Sequence, residues 1–83
     1  MENHFKILGT GCSKCRTLEQ LTFEVVKEND IQADIQKVED ILEIMNYRVL
    51  STPALVVNEK VLFSGRVPSK TELKSYINRE ING

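Results

Sequence analysis

The sequence has no tryptophan, only two cysteines, two prolines and a single histidine, His4. What is scarce closes off some classes of function. Basic and acidic residues nearly cancel, 11 against 12. No basic stripe invites nucleic acid, and no acidic tail appears. Long apolar runs are missing too. Met1-Glu2-Asn3-His4 lacks the charged region and apolar stretch of a signal peptide, and no membrane span is visible. The expected location is therefore the cytoplasm, with no membrane partner. A structural zinc site wants four ligands, and beyond the two thiols only His4 could contribute. No repeat, linker or low-complexity segment interrupts the 83 residues, which read as one domain spanning 1–83. A domain this small buries about 60% of its unfolded surface. With 41% apolar residues it can still fold alone, and a monomer is expected.

Both cysteines lie in Thr10-Gly11-Cys12-Ser13-Lys14-Cys15. An apolar run, Phe5 to Leu8, precedes them, and an amphipathic segment from Ser13 follows. The pair therefore sits where a strand hands over to a helix. Unpaired N–H groups at a helix start, with the helix dipole, stabilise an anion. The contribution is about 0.3–1 kcal/mol, rising to about 2 when partly buried. Against about 1.36 kcal/mol per pKa unit, this lowers a thiol by on the order of one unit. Lys14 adds positive charge in the same direction. Cys12, at the exposed entrance, is the expected nucleophile, and Cys15 lies one turn further in. In a reducing compartment such a pair is redox-active or metal-binding more often than structural.

The rest of the chain alternates between two periods. His4 to Leu8 reads as a central strand, with His4 at its surface end, away from the cysteines. Ser13 to Glu28 reads as a helix, with Cys15, Leu18, Leu21, Thr22, Val25 and Val26 on its apolar face and Asn29 as its C-cap. Ile31, Ala33 and Ile35 alternate with polar residues, as in an edge strand. A strand–helix–strand of this length implies parallel pairing by a right-handed crossover. Asp40 to Met45 is a short helix, opened by Asp40 and Glu43 and apolar along Ile41, Ile44 and Met45. Thr52-Pro53 introduces a hairpin of Ala54–Val57 and Lys60–Ser64 about Asn58-Glu59. Arg66 and Lys70 read as solvated charges. Ser69 and Glu72 form a capping box for a last helix, whose stripe is Leu73, Tyr76, Ile77 and Ile81 and whose end is Gly83.

This order, β-α-β-α-β-β-α, resembles the thioredoxin fold: an α/β domain with a four-stranded mixed sheet flanked by three helices. The similarity spans His4 to Ile81. It is nearest to the small thioredoxin/glutaredoxin-like redox-active disulfide proteins of bacteria and archaea. Gly11-Cys12-Ser13-Lys14-Cys15, Ser51-Thr52-Pro53-Ala54-Leu55 and Ser64-Gly65-Arg66-Val67-Pro68 carry it. The resemblance implies a cis bond before Pro53, which would lie beside the dithiol, with the Thr52 backbone free to pair with an extended substrate. It also implies a thiol–disulfide oxidoreductase that reduces protein disulfides through Cys12 and Cys15. Gly11, Ser13, Lys14, Thr52 and Pro53 would position the substrate. No cofactor or metal beyond the Cys12–Cys15 couple is implied, and a thiol reductase of unidentified kind would supply electrons. Lys6 stands where thioredoxins carry a buried acid, so no matching acid is offered to Cys15. Glutaredoxins often carry Gly-Gly before an acidic pair; here only Gly65 remains, followed by Arg66. Two alternatives stay open. Two thiolates at a strand-to-helix turn also suit a Cu(I) carrier, although such domains run β-α-β-β-α-β and end in a strand. A binding module governed by its oxidation state, without turnover, is the other.

Overall fold

A computed structural model describes residues 2–82. Seven elements follow one another: β1 (Asn3–Leu8), α1 (Ser13–Glu28), β2 (Ala33–Val38), α2 (Ile41–Asn46), β3 (Ala54–Val57), β4 (Lys60–Ser64) and α3 (Lys70–Asn82). They build one four-stranded sheet in the order β2-β1-β3-β4. β1 pairs in parallel with β2, and β3 runs antiparallel to both β1 and β4.

The alternation of β1 sorts the core into two layers. Phe5 and Ile7 join Leu18, Val25, Leu73 and Ile77 on the face covered by α1 and α3. Leu8 joins Val38, Ile44, Ala54 and Val56 under α2. β3 is buried throughout, as a central strand covered on both faces must be. Asn58 and Glu59 both have positive φ, 50° and 68°. Such a two-residue turn matches the twist of an antiparallel pair. A register shift between Leu55 and Val56 follows within that ladder.

Three points differ from the pattern reading. The second strand begins at Ala33 rather than Ile31. Ile31 N–H donates to Val26 C=O at 3.0 Å and so completes the end of α1, with Asp30 at a φ of 51°. Asn29 is the C-cap as expected. The expected apolar side of α2 also narrows. Ile44 alone is buried, while Ile41 and Met45 are each 63% exposed. Ile44 packs with Leu8, Val38, Ala54 and Val56, and it is the one residue of α2 in that cluster. Finally, Arg66 and Lys70 are not simply solvated. Arg66 pairs with Glu72 at 2.9 Å, and Lys70 bridges to Glu24 at 3.2 Å and to Glu28 on α1. His4 does lie exposed near the start of β1, with Nδ1 3.6 Å from Asp34. Gly83 falls outside the described residues.

The last helix is held at its start by a reciprocal pair of bonds. Glu72 N–H donates to Ser69 Oγ, and Ser69 N–H donates to Glu72 Oε1, both at 3.2 Å. Replacing Ser69 by Ala should cost about 1 kcal/mol and lower the Tm by about 4–8 °C in a thermal melt. The same box carries a pH dependence. The Ser69 backbone N–H first, and the Arg66 guanidinium second, hold the Glu72 carboxyl below its ordinary value. A carboxyl lowered in the folded state stabilises fully above its unfolded value, and that contribution disappears as pH falls through the lowered one. In denaturant titrations from about pH 6 down to about pH 3, wild type should lose more stability than Glu72→Gln.

Candidate active site

The site is built where β1 ends and α1 begins. Gly9 N–H donates to Val38 C=O at 3.0 Å, extending the β1–β2 ladder by one bond beyond Leu8. Gly11 then turns the chain with a φ of 84°, a region that side chains other than glycine seldom adopt. Cys12 follows as the N-cap of α1, extended at φ −70° and ψ 166°. Its Sγ accepts from the Cys15 N–H at 3.2 Å, and its C=O takes the first helical bond from Arg16 N–H at 3.1 Å. No acidic residue occupies the first turn of α1. The sulfur that caps the helix therefore faces its free amides and the positive end of its dipole, with no carboxylate in that turn to oppose them.

The two cysteines occupy different environments. They are joined as a disulfide with a Cα–Cα distance of 5.1 Å. Cys12 is exposed, whereas Cys15 keeps only 6% of its surface. Cys15 lies against the backbone of Gly9. A Cβ built on Gly9 would collide with Cys15 Sγ, and the same point lies 4.0 Å from Thr52 Cβ. Thr52, far away in the sequence, is thus brought to the space beside the buried sulfur. The Thr52–Pro53 peptide is cis, Pro53 is buried, and the Pro53 C=O accepts from Gly65 N–H at 2.8 Å. A Cβ on Gly65 would in turn collide with Ser51 Oγ, so this loop and the loop after β4 are closely fitted. Gly11, Ser13 and Lys14 complete the rim, all exposed.

Sequence reasoning missed two features. Gly9 reads as an ordinary turn residue, although its missing side chain is what admits the Cys15 sulfur. The other is a small cavity of about 20 Å³ beside Cys15. Ile7, Gly9 and Gly11 contribute its apolar wall, and Arg16, Glu19, Lys37 and Glu39 its charged one. Lys6, at the place of the absent acid, is on the opposite side of β1. Its ammonium donates to Tyr47 Oη at 2.7 Å and to Glu59 at 3.0 Å. These two bonds, the Tyr47 one first, hold its proton more firmly than in a free lysine. Among the described residues no group of three or more His, Cys, Asp or Glu could hold a metal ion. Among those residues, too, no helix is long and apolar enough to cross a membrane.

A dithiol at a strand-to-helix turn, beside a Thr-Pro loop on a four-stranded mixed sheet, defines a redox-active disulfide protein of thioredoxin-like architecture. The comparisons agree. The family model described as "Thioredoxin domain" matches residues 3–78. A thioredoxin of Methanocaldococcus jannaschii is 40% identical over 76 residues, covering 87% of each chain. A thioredoxin of Methanothermobacter thermautotrophicus is 36% identical over 72 residues, covering 87% of this chain and 94% of the relative. Thioredoxin 1 of Thermosipho africanus shares the fold with a TM-score of 0.64 at 19% identity, over 95% of this chain and 94% of its own. The chain belongs to the thioredoxin domain family, and it is a thiol–disulfide oxidoreductase. Its order ends in α3, so the β-α-β-β-α-β order of the Cu(I) carriers is not the one found.

The fit of Cys15 to Gly9 can be tested directly. Gly9 has no positive φ, so alanine there is opposed by the sulfur and not by the backbone. Gly9→Ala should destabilise the oxidised protein by about 1–3 kcal/mol in denaturant unfolding and slow its thiol–disulfide exchange. Unchanged stability and exchange would show that the sulfur moves aside freely.

Proposed function

We propose that this protein reduces disulfides in other proteins, with Cys12 as the attacking thiol and Cys15 as the resolving one. The observation that carries the assignment is the asymmetry of the pair. Cys12 is exposed and caps α1, while Cys15 is buried behind it against Gly9.

The Cys12 thiolate attacks one sulfur of a substrate disulfide. A mixed disulfide forms, and the first substrate thiolate leaves. Cys15 then attacks Cys12 Sγ, the bond to the substrate breaks, and the Cys12–Cys15 disulfide remains. Two electrons pass to the substrate. A buried second thiol cannot meet a folded substrate itself, but it has only to reach its neighbour one turn away. The helix start stabilises the thiolate of Cys12 before attack and again when it leaves. Thr52 and Pro53 position the substrate. β3 starts its ladder at Ala54, so Thr52 precedes the strand pairing and its backbone is available to an extended chain. Gly11, Ser13 and Lys14 form the other lip. The chain acts as a monomer in the cytoplasm, is recharged by a thiol reductase, and needs neither metal nor further cofactor. Nucleic acid and membrane are not partners.

Insulin reduction in the presence of dithiothreitol tests the assignment. Wild type should accelerate it, and Cys12→Ser should reduce it to the uncatalysed rate. Cys15→Ser should accumulate a mixed disulfide with substrate, seen as an adduct in the intact mass. Equal turnover by wild type and Cys12→Ser would remove the assignment.

A further inference from the structure

The resolving step has a requirement that the pair itself does not meet. Cys15 must lose a proton before it can attack, because the thiolate is the nucleophile. Burial in apolar surroundings raises a thiol's pKa, and Cys15 is 94% buried by the complement of its 6% exposure. Its backbone N–H is already given to Cys12 Sγ, and Lys6 faces the opposite side of β1, toward Tyr47 and Glu59.

The cavity beside Cys15 offers a route. Its volume, about 20 Å³, exceeds the roughly 10–15 Å³ that one water molecule needs. Two carboxylates border it. Glu19 is one turn along α1 from Cys15, and Lys37 holds its carboxylate at 3.7 Å. Glu39 follows β2 and reaches over the Gly11 turn, with Oε2 3.6 Å from where a Cβ on Gly11 would lie. Among the described residues Glu39 has neither an ion pair nor a side-chain hydrogen bond, whereas Glu19 is engaged. Glu39 is also exposed, so a proton placed on it passes on to solvent.

We infer that Glu39 accepts the Cys15 proton through one water held in this cavity, and so sets the pH dependence of the resolving step. The inference rests on Cys15 being the resolving thiol. The Cys15 S–H proton moves to the water as a water proton moves to the Glu39 carboxylate. The Cys15 thiolate then attacks Cys12 Sγ, and the substrate sulfur leaves with the electron pair and is protonated from solvent. Arg16 and Lys37 face the same cavity and favour the Cys15 thiolate, while Glu19 and Glu39 oppose it as charges. Glu39 therefore acts as proton acceptor and not as electrostatic support. Protonated, it withdraws its own negative charge from beside the new thiolate.

Stopped-flow reaction of the reduced protein with 5,5′-dithiobis(2-nitrobenzoate) separates the two steps. A phase that scales with reagent concentration reports Cys12, and a concentration-independent phase reports attack by Cys15. Glu39→Gln should slow the second phase roughly a hundredfold near about pH 7 and move its rise to higher pH. Glu39→Asp should restore part of the rate, and the first phase should be unchanged in both. The inference is overturned if the second phase and its pH profile match wild type, if both phases slow together, or if Glu19→Gln shifts the profile and Glu39→Gln does not. Loss of the first phase in Cys12→Ser separates these outcomes from a failure of the functional assignment, which would instead leave that phase intact.

Discussion

The close approach of the Cys15 sulfur to the Gly9 backbone is the constraint on which the rest of the site depends. It fixes where α1 may start, because the helix must bring its first turn down onto the end of β1 without an intervening side chain. That position leaves Cys12 at the cap, outside, with its sulfur toward the amides. It also brings Thr52 alongside, since the space above Gly9 is shared between the sulfur and the start of the hairpin. Gly9 in turn is anchored by its bond to Val38, so the parallel pairing of β1 and β2 sets the floor of the site. One missing side chain thus couples sheet, helix and loop.

The two active-site glycines serve different physics, and a sequence does not separate them. Gly11 is needed for its dihedral angle, with space around it. Gly9 has ordinary dihedrals and no space. An alanine is opposed at both positions, by backbone strain in one case and by a sulfur atom in the other. The distinction matters for reading any variant at this turn, because strain at Gly11 acts through the path of the chain and crowding at Gly9 acts on the dithiol itself.

Much of this architecture was legible beforehand, because it rests on local pattern. Cys12 and Cys15 are three residues apart and lie at a change of period, so their place at a helix start follows from local pattern alone. The capping box at Ser69 and the hairpin at Asn58-Glu59 are equally local. What could not be read depends on residues brought together across the chain. The start of β2 moved because Ile31 completes α1 instead of pairing. Lys70 meets Glu24 and Glu28 only once α3 lies against α1. Ile41 and Met45 share a face with Ile44 in the pattern, yet only Ile44 meets the sheet, because where α2 sits is set by packing across the chain. Glu39 had no signal at all, since nothing in the sequence says that the crossover returns its carboxylate to the Gly11 turn.

Lys6 makes the same point from the opposite direction. Position by position, it marks the loss of an acid. In the fold, β1 alternates, so that Ile7 and Gly9 look toward α1 while Lys6 looks toward α2. There it joins Tyr47 and Glu59, tying the first strand to the end of α2 and to the hairpin turn. That network is half-exposed, and its ion pair contributes little by itself, but it leaves the face beneath the dithiol to other residues. The parallel crossover supplies them. Lys37 and Glu39 share the parity of Ile35, which packs against the α1-side core, so β2 and the residue after it deliver one cation and one carboxylate to the wall of the cavity beside Cys15. The charge beside the buried sulfur thus comes from the neighbouring strand and the residue after it, and not from β1.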